Sequence, residues 1–506
     1  MWGVAGHLSR PTGICLRPRP ERRRGQTRFV RTLSRLFCSS IPLMAPAAVS
    51  AAAGLPRVPR LRSFRNSWAL AADPIPVITG YLDTYGDTVG LHLGGVRPTL
   101  LTRDPGLIQH ILQKNHRNYP KSDISQGLAR YLGHGLLTAE GNYWLQQRRL
   151  IQPGFHRQRL ATLTELMLDV IDECLAPVVA AARQQGGRVE VPVHELMTAT
   201  AFRIIARSVF SSAMSEDELQ RLSRLLTELQ AFYVRTLRQP YLRPWLGLRG
   251  QYGHHDRLAA ELRQLIGGYI RRRKQQPGPA PDDLLQMLLD VRYEDSGLPM
   301  TDEQVLDEAI ILLVAGHETS ANGLSWLWYL LARHPAEAAR LHAELAAVLG
   351  PRRPTFADLP RLPYALQAVQ ETLRLYPPVW MVDRRAARDD EYQGLRLPQG
   401  TLISAYLYGV HHHSALWDEP EVFRPARFGP EAPSPPPYAY LPFGGGPRLC
   451  IGQQFALTEM QLVLLQVLRR FEVEWVAQPP VLMRPLISLR PRHDIRLGFR
   501  LHEKPA

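Results

Sequence analysis

Apolar positions recur with a helical period over most of the chain. After Asp104 they lie mostly three or four residues apart, the spacing of one face of an α-helix, so the sequence predicts a mainly helical fold. The longest such run opens at Thr301, which with Gln304 matches a capping box, and stops before Pro335. About 34 residues at 1.5 Å each span roughly 50 Å, so this one helix is expected to cross the whole domain.

Strand-like runs interrupt the helical pattern near both ends of the chain. Val89–Leu93 and Val96–Leu101 flank two glycines, a pattern typical of a β-hairpin, and a helix is predicted just before them over Ile75–Tyr85. Further short strands are predicted near Leu395–Ala405 and Ile487–Leu501. The expected fold class is therefore mainly α with a small β region.

The N-terminal segment differs in composition from the rest of the chain. Residues 1–43 are rich in Arg, Ser and Pro without apolar periodicity, as in an Arg-rich targeting peptide or in sequence translated ahead of a start at Met44. We expect this tail to be disordered or absent from the mature protein, residues 44–73 to be a linker, and residues 74–506 to form a single domain. The Ala-rich residues 41–56 contain three prolines and are too short for a membrane span, so no transmembrane segment is expected.

The charge is strongly asymmetric. Lys plus Arg number 61 against 46 Asp plus Glu, a net charge of +15. Residues 1–72 hold 13 Arg and one acid, so this segment carries +12 and the other 434 residues only +3. A basic surface for nucleic acid is therefore not expected on the folded part. The four cysteines, at positions 15, 38, 174 and 450, form no CxxC pair, which favours a reducing compartment and a cytoplasmic location.

The sequence around Cys450 carries the strongest chemical signal. The glycine-rich stretch Phe443–Gly452 precedes a predicted helix over Gln453–Phe471. A cysteine between a glycine-rich turn and a helix lies near backbone N–H donors that lower the basicity of a thiolate, and Arg448 adds positive charge. An isolated cysteine can also be a buried free thiol, but the full pattern F-G-x-G-x-R-x-C-x-G argues against that alternative.

This pattern resembles the Cys-ligand loop of the cytochrome P-450 family of haem-thiolate monooxygenases, of the soluble bacterial type, and the resemblance runs from about Pro74 to the C-terminus. It implies the family's fold, with haem b held between the long helix and the loop. By the same resemblance Cys450 is the axial ligand of the haem iron, and Phe443, Gly444 and Arg448 belong to the cofactor-binding loop. A thiolate ligand favours O–O cleavage more than a neutral histidine does.

A charge motif that precedes this loop in the chain also matches the family. Glu371 and Arg374 form ExxR and share one helix face, and Arg427 matches the third member of a buried Glu/Arg/Arg cluster. Without the resemblance, Glu371 and Arg374 would be interpreted as a surface ion pair of little energetic consequence.

Other positions match those that hold the haem propionates in this family. Trp144 and Arg148 form WxxxR, one helical turn apart, and the resemblance assigns both to a propionate. Arg384 matches a second propionate partner, and the adjacent Arg385 leaves this assignment ambiguous by one position. Burying the two carboxylates of a porphyrin without arginine partners would be costly.

The middle of the long predicted helix carries small and polar residues in place of apolar ones. His317 and Glu318 suggest a zinc HExxH site, but the position four residues after His317 is not a histidine, so that site is not formed. The resemblance places this turn over the distal haem face, where Ala315 and Gly316 leave room for dioxygen, the co-substrate. Thr319 is expected to bond back to a helix carbonyl, and Glu318 and Thr319 to relay protons. A Ser/Thr kink in a core helix is the alternative interpretation.

The segments that line the family's substrate pocket are almost wholly apolar here. Nothing in them offers a charge to a polar ligand, so a lipophilic substrate such as a terpenoid, carotenoid or fatty acid is expected. A fatty acid would need an anchor for its carboxylate, for which Arg484 is the candidate, and neutral isoprenoids are therefore preferred. The expected pocket residues are Ile310, Leu313, Val314, Ala315, Val379, Trp380, Met381 and Val382.

The resemblance implies a monooxygenase that depends on other proteins for electrons. Only 56 residues follow Cys450, so the donor is expected to be a separate ferredoxin or flavodoxin type protein with its reductase. A peroxide-driven haem peroxygenase and a non-enzymatic haem or gas-binding protein are the alternatives. The Glu318–Thr319 pair argues against the first, and the lack of a visible signalling module argues against the second.

Overall fold

Helices make up most of the described chain. The structure, a computed structural model, describes residues 55–93, 97–123, 127–211, 214–275 and 280–502, and the predictions for residues 1–43 lie outside these ranges. No helix within the described ranges combines the length and the apolar character needed to cross a lipid bilayer. The α-helices found there, numbered α1 to α17 in this order, are Arg60–Arg65, Ser67–Ala72, Pro74–Tyr85, Pro105–Gln109, Ala129–Leu132, Gly141–Ile151, Arg157–Gln184, Val193–Phe210, Glu216–Arg238, Arg243–Leu248, Gln251–Gln275, Leu284–Asp290, Asp302–Arg333, Pro335–Val348, Pro363–Leu375, Leu407–His411 and Gln453–Leu468.

The strands form small sheets at the periphery of the helical core, and the predicted N-terminal hairpin is confirmed. In the largest sheet β1 pairs antiparallel with β2, β2 runs parallel to β7, and β7 pairs antiparallel with β4. β3, β11 and β8 form an antiparallel sheet, while β9 with β10 and β5 with β6 form two-stranded ribbons. The strands β1 to β11 are Thr88–Leu93, Arg97–Thr102, Arg188–Pro192, Val382–Arg385, Asp390–Tyr392, Leu395–Leu397, Leu402–Ala405, Phe471–Trp475, Met483–Pro485, Leu489–Pro491 and Arg496–Leu501.

The long central helix α13 begins and ends where the sequence predicts. Thr301 is its N-cap: the hydroxyl accepts from the backbone N–H of Gln304, and the Gln304 side chain accepts from the backbone N–H of Thr301. The helix runs for 32 residues, about 48 Å at 1.5 Å per residue, and Pro335 starts the next helix. Its two tryptophans, Trp326 and Trp328, are fully buried in the main apolar cluster.

Two glycines allow α13 to approach its neighbours closely. A Cβ on Gly316 would lie 2.7 Å from Cγ1 of Ile205 on α8, and a Cβ on Gly323 would lie 2.9 Å from Cε of Met460 on α17. Real side chains do not pack at such distances. The small residues of α13 therefore bring α8 and α17 against the central helix.

The segment expected to be a linker, residues 44–73, is helical and packed over much of its described part. Helices α1 and α2 occupy residues 60–72, and Val58 is buried against β1. Two backbone hydrogen bonds of 2.9 Å join Gly90 of β1 to Pro56 and Val58. Helices of six residues are too short to show an apolar period, which is why the sequence pattern did not indicate them.

Candidate active site

The loop that carries Cys450 folds back on itself through two glycines with positive φ. Gly444 and Gly446 have φ of +73° and +68°, in the left-handed region that residues with a Cβ rarely adopt. A Cβ on Gly446 would also lie 1.9 Å from the carbonyl oxygen of Leu112. The turn brings the backbone N–H of Cys450 within 3.0 Å of the carbonyl oxygen of Phe443, to which it donates. Backbone geometry thus explains these glycines of the motif.

Cys450 is accessible to solvent although protein surrounds it closely. Its side chain is accessible to solvent, yet so much protein surrounds it that burial raises the pKa of the thiol above its usual value. The backbone N–H of Gly452 and the guanidinium of Arg148 act in the opposite direction and favour the thiolate. A cysteine that is accessible to solvent and yet closely surrounded by protein is typical of the wall of a cavity.

Basic side chains gather beside this loop. Burial, together with the charge of Arg448, lowers the pKa of Lys121 to about 7 and that of Arg384 to about 10. Glu140 is the carboxylate among them, and it accepts from Arg448 and from the backbone N–H of Lys121. With Arg148 nearby, the group carries more positive than negative charge. We call these five residues the basic cluster.

Trp144 lies between two members of the basic cluster. The guanidinium carbons of Arg448 and Arg148 are 4.2 and 5.9 Å from the centroid of the indole ring, within the range of cation–π contacts. Trp144 and Arg148 are one turn apart on α6, and Arg148 Nη1 donates to the carbonyl oxygen of Leu449 over 2.9 Å. The WxxxR pair therefore joins α6 to the Cys450 loop.

The two adjacent arginines at the end of β4 have different surroundings. Arg385 Nη2 pairs with Asp123 Oδ1 at 2.6 Å. Arg384 instead lies in the basic cluster, where the charges of Arg448 and Glu140 act on it. The guanidinium of Arg384 donates to the carbonyl oxygen of Asp383 over 2.8 Å and has no other hydrogen-bond partner among the described residues. A guanidinium carries five N–H donors, so several donors of Arg384 remain available to bind an anion. The structure thus favours Arg384 over Arg385 as the propionate partner.

The residues around Cys450 fit a haem. An iron porphyrin needs an axial donor and partners for two carboxylates, which the Cys450 thiol and the basic cluster can provide. An excess of like charge in partly buried surroundings is costly by itself. A dianionic ligand would offset that cost, because it supplies the negative charges that Glu140 alone does not.

Glu371 is the centre of a buried ion cluster. Arg374 Nε and Nη2 donate to the two carboxylate oxygens of Glu371 over 2.7 and 2.9 Å, and Arg427 Nε donates over 3.1 Å. The backbone N–H of Arg424 adds a bond of 3.0 Å. Glu371 and Arg374 are both fully buried, so they do not form the exposed ion pair of the alternative interpretation.

His411 joins this ion cluster to the Cys450 loop. Its ring is fully buried, with Nδ1 3.1 Å from the carbonyl oxygen of Arg374, and Nε2 accepts the backbone N–H of Leu441 over 2.7 Å. Burial lowers the pKa of His411 to about 3, so the ring is neutral. Because Nε2 is an acceptor, the ring proton lies on Nδ1 and is donated to Arg374.

The middle turn of α13 is accessible, unlike most of that helix. Ala315 is exposed, and the Oγ1 of the half-buried Thr319 donates to the Ala315 carbonyl oxygen over 2.8 Å, the back-bond expected from the sequence. A Cβ on the half-buried Gly316 would point at Ile205 of α8, so that side of the helix is packed. Successive helical residues point about 100° apart, so neighbours in sequence do not share a surface.

The carboxylate of Glu318 is held from a distant part of the chain. Ser488, between β9 and β10, donates from Oγ to Glu318 Oε1 over 2.5 Å and accepts from Asn322 Nδ2 over 2.9 Å. The same hairpin reaches Trp380, whose Nε1 donates to the carbonyl oxygen of Leu486 over 3.0 Å. The central helix and the segment around Trp380 therefore both contact the turn of the β9–β10 hairpin.

The structure corrects part of the predicted pocket lining. Ile310 and Leu313 are fully buried and Val314 nearly so, all within the main apolar cluster, so these side chains pack in the core rather than line open space. The prediction grouped neighbouring positions of one helix, whereas only about one residue in three or four faces a given side. Ala315 remains on the accessible side of α13. In the second segment Val379 is 37% exposed, and Trp380, Met381 and Val382 are half-buried.

Four residues that contact the expected site were not found from the sequence. They are Lys121, Glu140, His411 and Ser488. Each bonds to an expected site residue, to its loop or to another of these four, across at least 19 positions of the chain. For Glu140 and Ser488 the sequence carries no signal. His411 opens a run of three histidines, for which the sequence suggests solvated or locally bonded rings rather than a fully buried one. Lys121 had one weak signal, because the chain holds only four lysines against 57 arginines.

Glu459 of α17 is a buried acid behind the accessible turn of α13, and it makes stability depend on pH. Ser320 Oγ donates to Glu459 Oε2 over 2.6 Å, and burial raises the pKa of Glu459 to about 8 from 4.5. The folded state therefore binds a proton that the unfolded state releases above pH 4.5, so stability falls as the pH rises from about 5 to 8.

The variant Glu459→Gln should lose that dependence, since the amide does not ionise. We expect its unfolding free energy relative to the parent protein to rise by about 3–4 kcal/mol between pH 5 and pH 8. Thermal melts at both pH values, with the exposed Glu195→Gln as control, measure the difference. A constant difference across this range would contradict the assignment.

Comparison with known proteins agrees with this geometry. A family model described as cytochrome P450 matches residues 63–497. The cyclooctatin synthase of Streptomyces melanosporofaciens is 35% identical over 83% of this chain and 90% of its own length, and the pentalenene oxygenase of Streptomyces avermitilis is 32% identical over 86% and 94%. A crystal structure of the cytochrome P450DA heme domain has the same fold, with a TM-score of 0.78 at 24% identity, covering 89% of this chain and 98% of that one. The chain therefore belongs to the cytochrome P450 family and is a haem b-dependent monooxygenase.

Proposed function

We propose that this protein inserts one oxygen atom of dioxygen into a neutral lipophilic isoprenoid, with Cys450 as the axial ligand of the haem iron. When bound, the haem supplies the redox chemistry that activates dioxygen. The residues of the chain hold the cofactor, carry protons and shape an apolar site. A ferredoxin or flavodoxin type donor with its reductase is the proposed source of electrons, and the cysteine pattern supports a cytoplasmic location.

The arrangement of Glu318 and Thr319 is the observation that carries the proposal. Both lie on the accessible turn of α13, the hydroxyl bonded to a helix carbonyl and the carboxylate bonded to Ser488. An alcohol next to an acid can pass protons from solvent to the reacting oxygen. A peroxide-driven enzyme and a gas carrier need no such pair, so its presence favours a monooxygenase.

Replacing Thr319 tests this relay. Thr319→Ala should retain haem but form about tenfold less product per electron pair, with the missing electrons recovered as hydrogen peroxide, because the hydroxyl that passes protons is lost. Thr319→Ser keeps the hydroxyl and should remain close to the parent protein. NADPH consumption, peroxide and product are measured together. Equal coupling in the alanine variant and the parent protein would remove Thr319 from the mechanism.

Arg384 and Arg385 form a matched pair for testing how the cofactor is held. Arg384→Gln should raise the rate of haem loss to an acceptor protein by about ten- to a hundredfold, because one charge-assisted hydrogen bond to a propionate is removed. Arg385→Gln breaks the partly exposed pair with Asp123 and a long hydrogen bond to the carbonyl oxygen of Gly400, and should change the rate less than about threefold. Faster haem loss from Arg385→Gln than from Arg384→Gln would show that the propionate partner is Arg385.

The apolar character of the accessible side chains supports the substrate class. Val379 and Ile487 are each 37% exposed, and they flank the contact between Trp380 and the β9–β10 hairpin. Burying about 300 Å² of apolar surface at roughly 25 cal/mol per Å² could contribute several kcal/mol to binding. The names of two relatives, cyclooctat-9-en-7-ol 5-monooxygenase and pentalenene oxygenase, give further support for a neutral substrate.

Spectral titration decides the substrate class. We expect neutral isoprenoids to shift the haem band at micromolar concentration, and small polar amines and sugars to leave it unchanged. Product analysis by mass spectrometry with the electron donor then shows whether one oxygen atom is added. Tight binding of polar compounds, with none of isoprenoids or fatty acids, would overturn the proposal.

Fatty acids are the second candidate class, because two arginines face each other near the tip of the hairpin. Arg484 of β9 is directly opposite Arg490 of β10. Burial lowers the pKa of Arg490, and the neighbouring Arg484 lowers it further. A fatty acid carboxylate at this pair would bind about tenfold more weakly to Arg484→Gln, whereas neutral isoprenoids would bind equally to both proteins.

A further inference from the structure

Glu228, His254 and His255 bring three metal-binding side chains together on two neighbouring helices. Glu228 lies on α9, and the two histidines lie on the first turn of α11. One ligand atom from each of the three side chains can be chosen so that all lie within 4.8 Å of one another. Neither the sequence motifs nor the proposed reaction uses these residues, and we call them the α9–α11 triad.

His255 is held as a metal-binding histidine usually is. It is 5% exposed, its ring stacks on Phe232 at 3.6 Å between centroids, and its Nδ1 lies 2.7 Å from the carbonyl oxygen of Gln251. Donation from Nδ1 to that carbonyl leaves the lone pair on Nε2, which has no hydrogen-bond partner among the described residues. A backbone carbonyl behind a ligating imidazole fixes its tautomer and raises its basicity.

The other two ligands can move to complete the site. His254 Nε2 lies 3.2 Å from Glu228 Oε1, and both side chains are about half exposed, so each can rotate without disturbing the core. This freedom matters because neighbouring helical residues diverge by about 100°, and His254 must turn towards the ring of His255. The nearby Asp256 is already paired with Arg130, over 2.8 and 3.0 Å, so the charge of that arginine is compensated.

We propose that the α9–α11 triad binds a divalent transition-metal ion and thereby ties α9 to α11. Two imidazoles with one carboxylate are a donor set for zinc and its neighbours, whereas calcium and magnesium prefer all-oxygen sites. Zinc is the ion we expect. The proposal does not depend on the proposed substrate, since the triad makes no contact with the residues assigned to the reaction.

Zinc binding to the haem-loaded full chain, prepared without an affinity tag, tests this proposal. Equilibrium dialysis against Zn²⁺ in excess Mg²⁺ and Ca²⁺ should show one saturable equivalent per chain. Glu228→Gln and His254→Gln should each weaken that binding by about tenfold or more, because each removes one of three ligands. His493→Gln, which removes an exposed histidine elsewhere, should leave it unchanged.

A second readout distinguishes the triad from adventitious binding. Zinc should raise the melting temperature of the parent protein and of His493→Gln, since a ligand that binds only the folded state stabilises it. The same addition should not shift either triad variant, whose melting temperatures without zinc should equal that of the parent protein because the altered side chains are half exposed. Absence of a saturable equivalent, or its retention in both triad variants, would overturn the proposal.

Discussion

Cys450→Ser is expected to abolish the absorption band at about 450 nm that a thiolate ligand gives the reduced carbon monoxide complex. The serine hydroxyl does not ionise near neutral pH and donates little electron density to iron, so neither the band nor the oxygenase activity should survive. The loop itself should keep its shape, because the turn depends on Gly444, Gly446 and the backbone bond to Phe443 rather than on the thiol.

Cys174→Ser is the matched control for this change. Cys174 is a half-buried thiol on α7, and burial raises its pKa, so it is a weaker nucleophile and ligand than an exposed thiol. That variant should keep the band. Haem content is measured separately, so that loss of the cofactor is not mistaken for a change of ligand. A full band in Cys450→Ser would show that another residue binds the iron.

Glu371→Gln is expected to produce the second large effect, a loss of about 3–5 kcal/mol of stability. The glutamine cannot balance the charge of Arg374, which is fully buried and bound to Glu371 through two nitrogens. Arg427 would lose its carboxylate partner as well and keep only bonds to backbone carbonyl oxygens. Removing one member of a buried ion pair leaves an uncompensated charge, which costs far more than the loss of an exposed pair.

Denaturant unfolding of the haem-loaded protein measures this loss, and Asp418→Asn serves as its control. Asp418 pairs with Arg424 at 2.9 Å but is 79% exposed, so that variant should change stability by less than about 1 kcal/mol. Because His411 joins Arg374 to Leu441, Glu371→Gln should also lose haem more easily than the control. Equal stability of the two variants would contradict the role we assign to the cluster.

Local patterns were sufficient to predict the long central helix, the N-terminal hairpin and the main motifs. The capping box at Thr301 and the following proline set the ends of α13, because helix termini are determined by neighbouring residues. The hairpin of β1 and β2 was predicted from alternation around glycines. The glycine-rich loop around Cys450 was recognised from its spacing, since the required backbone angles restrict residue choice within a few positions.

Positions within one helix were predicted less well than the helix itself. Ile310 and Leu313 were expected to line the substrate pocket, but they are fully buried in the main apolar cluster. A helical run of small and apolar residues has several candidate faces, and the neighbours that cover each face come from distant segments. Which side of α13 stays accessible is therefore decided by the packing of distant segments against it in the folded protein.

By itself the sequence determined the helical class, the family, and the residues Cys450, Glu371 and Arg374, because these depend on local periodicity and on spacings within a few turns. The tertiary structure alone decided that Arg384 rather than Arg385 belongs to the basic cluster. It alone also decided that His411 links Arg374 to Leu441, next to the Cys450 loop. It also decided that Ser488 holds Glu318, 170 positions away in the chain. Contacts of this kind carry no local signal, since nothing in a segment specifies which distant hydrogen-bond donor will fold against it.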